Sequence, residues 1–288
     1  MRYDLEISEM VWSYTRLTAF ESCPYKWYLT YLYHDDNGNK LDKVSGFFSE
    51  YGTFMHKILE LYLKGILKPE DMPEYYSAYY VDTVRDAALS RSMDETYFKD
   101  GYEYVKNFHF PERETIAVEY RMLFEFGGRK WTGIVDYLNR DKDGSLVITD
   151  HKSHRLKPYS GRKKPTATDK ELTDYLRQLY IYAEGVYQTY GEYPAYLEFN
   201  CFRNRNFIRE PFSMDRLNEV KEWATNLMDK IESTEQWEPK PEYFVCHNLC
   251  DVCDSCRYKN MTPQQAESSF VPDTEMFIWT PDYKRRKK

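Results

Sequence analysis

The sequence predicts an α/β fold, a central mixed sheet flanked by helices, and two observations carry that prediction. Apolar residues recur at helical spacing through roughly the first hundred positions, and from Thr115 the period changes to strand alternation. Helix and strand patterns then take turns until a cysteine-rich segment. At 288 residues the chain can bury one substantial core and carry a small satellite. Three regions are expected: a helical lobe over 1–110, a sheet-bearing core over 111–235, and a cysteine segment with a basic tail over 236–288.

Each element follows from periodicity and punctuation. Ser13 to Tyr33 and Tyr51 to Lys64 read as helices, and Pro73 to Phe108 reads as a further tyrosine-rich helix, irregularly broken. Thr115 to Phe126, Lys130 to Arg140 and Ser145 to Lys152 read as three antiparallel strands, with the Asp141-Lys142-Asp143-Gly144 turn between the last two. The Pro/Gly/Lys stretch to Thr166 reads as an exposed loop. Thr168 with Glu171 forms a capping box that opens a helix to about Tyr190. Pro194 to Cys201 and Asn206 to Phe212 read as two further strands, followed by a helix over Asp215 to Ser233.

Composition narrows the function classes. No apolar run approaches the ~20 residues of a membrane span, and the N-terminal residues lack a basic region followed by an apolar one, so a soluble, unexported chain is expected. Four of the six cysteines fall within Cys246 to Cys256, which suits metal ligation in a reducing compartment better than disulfides, and a cytoplasmic chain is expected. A net charge of −7 argues against general nucleic-acid binding, which draws on Lys and Arg. Local charge matters more, and Arg155 to Lys164 and Lys284 to Lys288 are strongly basic. The tail alone is more simply a solvated end. The 28 tyrosines could stack on bases, but at this dispersion most suit core or half-buried positions.

Chemistry first shows in the central hairpin. If Asp141 and Ser145 flank a three-residue loop ending in Gly144, Asp136 falls opposite Asp150. Carboxylates about 5 Å apart repel unless a cation lies between them. Lys152 shares a face with Asp150 by strand alternation, while His151 points away. A lysine beside metal-bound carboxylates can orient water and stabilise charge on a phosphate. An exposed Asp150–Lys152 ion pair is the plain alternative; the apolar run Leu146, Val147, Ile148 argues against it, because charges ending a buried strand need partners.

Those residues resemble a known family. GIVDYL (Gly133 to Leu138) and VITDHKS (Val147 to Ser153) are similar to the two core motifs of the RecB/AddB-like branch of PD-(D/E)xK nucleases, with Gly133 three residues before Asp136. YGTFMHKILELYL, Tyr51 to Leu63, resembles the helical motif whose histidine joins the metal site, here His56. QLYIYAEGV resembles the Gln-x-x-x-Tyr motif, here Gln178 and Tyr182, one helical turn apart on one face and equally suited to placing nucleic acid or to packing near the sheet. Glu119, ending the run IAVE, resembles a glutamate often seen there, and an ordinary exposed strand residue is nearly as good a reading.

The resemblance implies a restriction-endonuclease-like core and a Mg²⁺- or Mn²⁺-dependent nuclease, with the ion on His56, Asp136, Asp150 and a backbone carbonyl near His151, and Lys152 orienting water. It implies an exonuclease on single-stranded DNA or duplex ends, in DNA recombination and repair, and admits a helicase or recombination-protein partner. Some such proteins, including CRISPR-associated nucleases, bind a [4Fe-4S] cluster through one N-terminal and three C-terminal cysteines. Cys23-Pro24 resembles the first, and Cys250, Cys253 and Cys256 stand two residues apart as candidates for the rest. The usual Cys-x2-Cys-x5-Cys frame fits from Cys253 but puts Thr262 at its last position, so Cys250 or Cys246 must supply a thiolate. Zinc is the rival occupant, with His247 a further donor. The alternative function is a non-cutting nucleic-acid-binding or adaptor subunit, or an interaction protein built on a zinc site.

Overall fold

A computed structural model of the chain describes residues 3–35 and 37–271. The basic run Lys284 to Lys288 lies outside the described residues. The described part contains helices α1 (Asp4–Ser8), α2 (Tyr14–Ser22), α3 (Pro24–Tyr31), α4 (Phe47–Leu63), α5 (Met72–Thr83), α6 (Arg91–Lys106), α7 (Ala167–Tyr190), α8 (Met214–Glu232), α9 (Tyr243–Asn248) and α10 (Pro263–Ser268). Its strands are β1 (Glu114–Phe126), β2 (Arg129–Arg140), β3 (Leu146–Lys152), β4 (Tyr196–Cys201) and β5 (Asn206–Pro211).

The five strands form one mixed sheet in sequence order. β1, β2 and β3 are antiparallel, β3 and β4 run parallel, and β5 returns antiparallel to β4. A parallel pair needs a long crossover, and α7 is that crossover. β3 is central, and its residues are buried except at the last position. The α/β reading and the five strands therefore hold.

The chain divides into two compact units, Val11–Tyr14 with Phe47–Trp223, and Met1–Met10 with Thr15–Gly46 and Ala224–Lys288. In the first, the sheet is accompanied by α4, α5 and α6, whose core holds Tyr51, Tyr76 and Tyr80, each with no exposed surface. Much of the tyrosine excess is thus structural. In the second, Trp27 stacks on Trp237 at 5.0 Å and Tyr25 meets Tyr258 edge-on at 4.9 Å. Val44 N–H donates to the Asp251 carbonyl at 2.7 Å, so residues from both ends of the sequence build this unit.

Three expectations need correction. The Ser13 to Tyr33 helix is two helices, because Cys23 is extended (φ −161°) and caps α3, where Pro24 takes the first turn. The capping box of α7 is Thr166 with Asp169, two residues before the expected pair. Asp169 is drawn to that position because it also accepts from Ser160 N–H and Oγ at 2.6 and 2.7 Å. The 153–166 loop is also anchored more firmly than an exposed loop suggests. Leu156 is fully buried, its carbonyl accepts from Asn204 at 2.9 Å, and Arg155 reaches Asp100 at 2.5 Å. Lys157, Arg162, Lys163 and Lys164 remain exposed.

On the sheet face bearing Thr149 and His151, Arg113 makes a two-pronged pair with Glu198, at 2.7 and 2.9 Å. Both side chains are almost wholly buried, and Arg113 Nε also meets Asp141 Oδ1 at 3.0 Å, so removing Glu198 leaves the arginine with one carboxylate instead of two. Glu198→Ala is expected to cost about 1.5–3 kcal/mol in urea unfolding, since Asp141 still offsets the arginine charge. A loss below about 1 kcal/mol would show that water replaces the pair.

Candidate metal centre and active site

The hairpin turn sets the register. Asp141 N–H donates to the Ser145 carbonyl at 3.0 Å, Gly144 N–H donates back to the Asp141 carbonyl at 2.9 Å, and Gly144 has φ +84°, which a side chain would strain. The ladder then runs from Arg140↔Leu146 to Tyr137↔Thr149, and one further step sets Asp136 across from Asp150. Both carboxylates are buried, at 8% and 4% exposure. Asp136 Oδ2 accepts the His151 backbone N–H at 2.7 Å.

β1 contributes a third acid. Val118↔Tyr137 and Tyr120↔Val135 bracket Glu119 across from Asp136, so Glu119, Asp136 and Asp150 form one row over three strands. Glu119 is left-handed, with φ +51°, one of two described non-glycine residues with positive φ. That conformation costs on the order of 1–2 kcal/mol and tends to gather at functional sites. The family resemblance sets Glu119 only slightly ahead of an ordinary strand residue. The signal that finds it is register, since its partner across the β1–β2 ladder is Asp136.

α4 supplies His56. Its Nε2 lies 2.9 Å from the His151 carbonyl oxygen, and its Nδ1 lies 3.5 Å from Asp136 Oδ2. A proton on Nε2 donates to that carbonyl and turns the Nδ1 lone pair toward the acids. Donor atoms of His56, Glu119 and Asp136 all lie within 4.8 Å of one another. Asp150 stands beside this trio, its Oδ2 turned to Lys152 Nζ at 2.9 Å. The His151 ring faces away, with Nδ1 3.2 Å from Asn200 Nδ2, and only its carbonyl points into the centre.

The electrostatics are those of a site short of positive charge. Burial, and then Asp150, raise the Asp136 pKa well above the carboxylate range. Burial, and then Asp136, push Glu119 up to about 7. Burial lowers His56 against the upward pull of Asp150 and Glu119. Burial opposes the Lys152 charge too, but Asp150 outweighs it and raises the lysine pKa, keeping Nζ cationic. Mutually repelling oxygens beside a neutral imidazole make a donor set that suits a hard divalent cation.

A hydrogen-bonded chain holds the lysine. Lys152 Nζ donates to Gln178 Oε1 at 2.9 Å, and Gln178 Nε2 donates to the Tyr182 hydroxyl at 2.9 Å. Gly133 completes this support from below. A Cβ there would sit 2.5 Å from Tyr182 Cε1, so only glycine lets the ring lie against β2. Gly133→Ala is expected to displace Tyr182, costing about 1–3 kcal/mol of stability. It should also loosen Lys152, and thermal melting with a cleavage assay would detect both. Unchanged values in each would dismiss the support role.

The cysteines gather in the second unit. Cys23 Sγ accepts backbone N–H groups from Lys26 at 3.4 Å and from Lys240 at 3.3 Å, the latter 217 residues away. Burial first, with smaller contributions from Cys23, Cys250 and Cys246, raises the Cys256 thiol to about 12. Cys246 likewise feels Cys23. Cys253 acts on Cys250, while its own Sγ lies 3.8 Å from Asp254 Oδ1. Cys201 is separate, buried in β4 of the sheet unit.

A mixed sheet whose central strands bring Asp136 against an Asp-x-Lys pair, with a helix supplying His56, defines a PD-(D/E)XK class of protein. The profile of the PD-(D/E)XK nuclease superfamily matches residues 11–261, and the chain belongs to that superfamily. It is thereby a nuclease by family. The crystal structure of a "Putative exonuclease" from Eubacterium rectale is similar at 14% identity, covering 86% of this chain and 88% of that one, with a TM-score of 0.48. The crystal structure of SSO0001 is similar at 17% identity, covering 72% of this chain and 96% of that one, with a TM-score of 0.29. No curated protein matches. Among the described residues, no helix is long and apolar enough to cross a membrane.

Proposed function

We propose that the chain hydrolyses DNA phosphodiester bonds at this centre, with Mg²⁺ or Mn²⁺ held by His56, Asp136, Asp150 and the His151 carbonyl. The observation that carries this reading is the row of Glu119, Asp136 and Asp150 closed by the buried Lys152. Glu119 is a further donor to the same ion. A divalent cation held there would supply Lewis-acid polarisation of the phosphate and make water a better nucleophile near neutral pH. Lys152, kept charged by Asp150 and aimed by Gln178, orients the attacking water and stabilises charge growing on the phosphoryl oxygens. Burial of the carboxylates strengthens each of these interactions by excluding water.

The finer reading is an exonuclease of the RecB/AddB-like branch, acting on single-stranded DNA or duplex ends in recombination and repair. The ordered motifs at His56, Asp136, Asp150 with Lys152, and Gln178 with Tyr182 support it. In the cysteine unit, a [4Fe-4S] cluster takes Cys23, Cys250, Cys253 and Cys256, with Cys246 the competing donor and zinc the competing metal. The thiol-rich setting and the two N–H groups on Cys23 Sγ suit a thiolate-held group.

Digestion of end-labelled linear DNA, single- and double-stranded, beside circular single strands tests this reading. Mononucleotides or short products from linear strands, with circles intact, are expected. Cut circles would contradict the exonuclease reading, and intact DNA in both Mg²⁺ and Mn²⁺ would contradict cleavage altogether.

A further inference from the structure

The sheet unit holds a cleft of 810 Å³ between the 153–166 loop, α7 and the start of α8. Its size falls in the range of about 300–1,000 Å³ typical of small-ligand sites. Tyr159 and Arg162 line it from the loop, Arg177 and Tyr180 from α7, and Arg216 and Trp223 from α8. We infer that this cleft binds an unpaired nucleotide of the strand entering the active site, its base stacked at Trp223 and its phosphate on Arg162 and Arg216. The inference rests on the nuclease reading above and narrows its substrate to single strands or frayed ends.

Three observations support it. The first is the chemistry of the walls. Arg177 lies over the Trp223 ring at 4.6 Å and Arg216 over the Tyr159 ring at 5.2 Å. Arginine planes on aromatic faces are the platform on which unpaired bases stack, and such stacking is tolerant of base identity. A base locked in a duplex cannot enter such a slot.

The second is local charge. Asp174 pairs with Arg177 at 3.0 Å, and Asp169, held by Ser160 and Thr166, keeps its charge. Asp169 and Glu219 then stand against Arg162, Lys170 and Arg216. The cleft therefore presents surplus positive charge on a chain of net charge −7.

The third is continuity with the centre. Gln178 and Tyr182 turn one face of α7 to Lys152, and the neighbouring face lines the cleft. Tyr14 bridges the two. Its hydroxyl donates to the Asp174 carbonyl at 2.8 Å and its ring lies 6.4 Å from Trp223, while Lys152 Nζ lies 5.3 Å over the ring of Tyr175, the residue after Asp174.

Fluorescence anisotropy of the full chain in chelator, with short labelled oligo(dT), tests the inference. An abasic site scanned along the strand should reveal a position where losing the base weakens binding about tenfold. Trp223→Ala should weaken the intact strand similarly and abolish that abasic penalty. Arg216→Gln should lower the salt slope by about one. Equal affinity for every abasic strand would overturn the inference, as would an equal effect of Trp223→Ala on blunt duplex. If Trp223→Ala does not fold, the abasic scan on the unaltered chain decides alone. Cleavage of DNA by the unaltered chain without any abasic penalty removes the cleft and leaves the nuclease reading standing. Neither binding nor cleavage of any DNA removes both.

Discussion

Asp136→Asn is expected to abolish cleavage and, in chelator at about pH 8, to raise the melting temperature by a few degrees. The two effects share one cause. Asp136 is buried between Glu119 and Asp150, and without a cation its charge is opposed by burial and by Asp150. Both Asp136 and Glu119 have folded-state pKa values above their unfolded ones. The folded state then binds more protons, so the stability they contribute is present in full below about pH 4 and is lost as pH rises through the folded values. Unaltered chain in chelator should therefore melt lower at about pH 8 than at about pH 5, and Asp136→Asn should flatten that slope. Mn²⁺ should restore the unaltered chain and do little for the variant. A variant that melts lower in chelator at both pH values would show that the Asp136–His151 N–H bond outweighs the repulsion.

Cys23→Ser is expected to lose the bound cofactor and most soluble yield, although it touches none of the nuclease residues. Cys23 caps α3 and receives the Lys240 N–H from 217 residues away, so a group held there ties distant chain segments together. Closing so long a loop removes unfolded-chain entropy of several kcal/mol, to which metal ligation adds directly. Cys201→Ala should leave iron content unchanged, because Cys201 lies in β4. Iron and sulfide analysis of both variants, with Cys246→Ser and Cys253→Ser, assigns the ligands. Full iron in Cys23→Ser would refute the four-ligand site, and zinc without iron in the unaltered chain would replace the cluster by a zinc centre.

The parts of the site that sequence could reach are those built by local rules. The register of Asp136 on Asp150 follows from a turn whose glycine and hairpin length are visible in four residues, and strand alternation then places Lys152. Tertiary partners decided the rest. Glu119 gained weight as a ligand candidate through its place across the β1–β2 ladder from Asp136, a long-range pairing that its spacing in the sequence does not reveal. The α7 cap moved to Thr166 because Ser160 also bonds to Asp169, and Arg155 left the basic stretch for Asp100, 55 residues away. Gly133 was legible as a motif residue, but its reason, the Tyr182 ring, lies on a helix far along the chain.

The central claim is a cation-dependent cut that needs Lys152, and single-turnover cleavage of labelled single-stranded DNA tests it most directly. Chelated protein should be inactive, and Mn²⁺ should restore it. Lys152→Ala at saturating Mn²⁺ should be slower by about 10²-fold or more while binding DNA comparably. Cleavage by Lys152→Ala at the unaltered rate, or undiminished cleavage in chelator, would contradict the assignment.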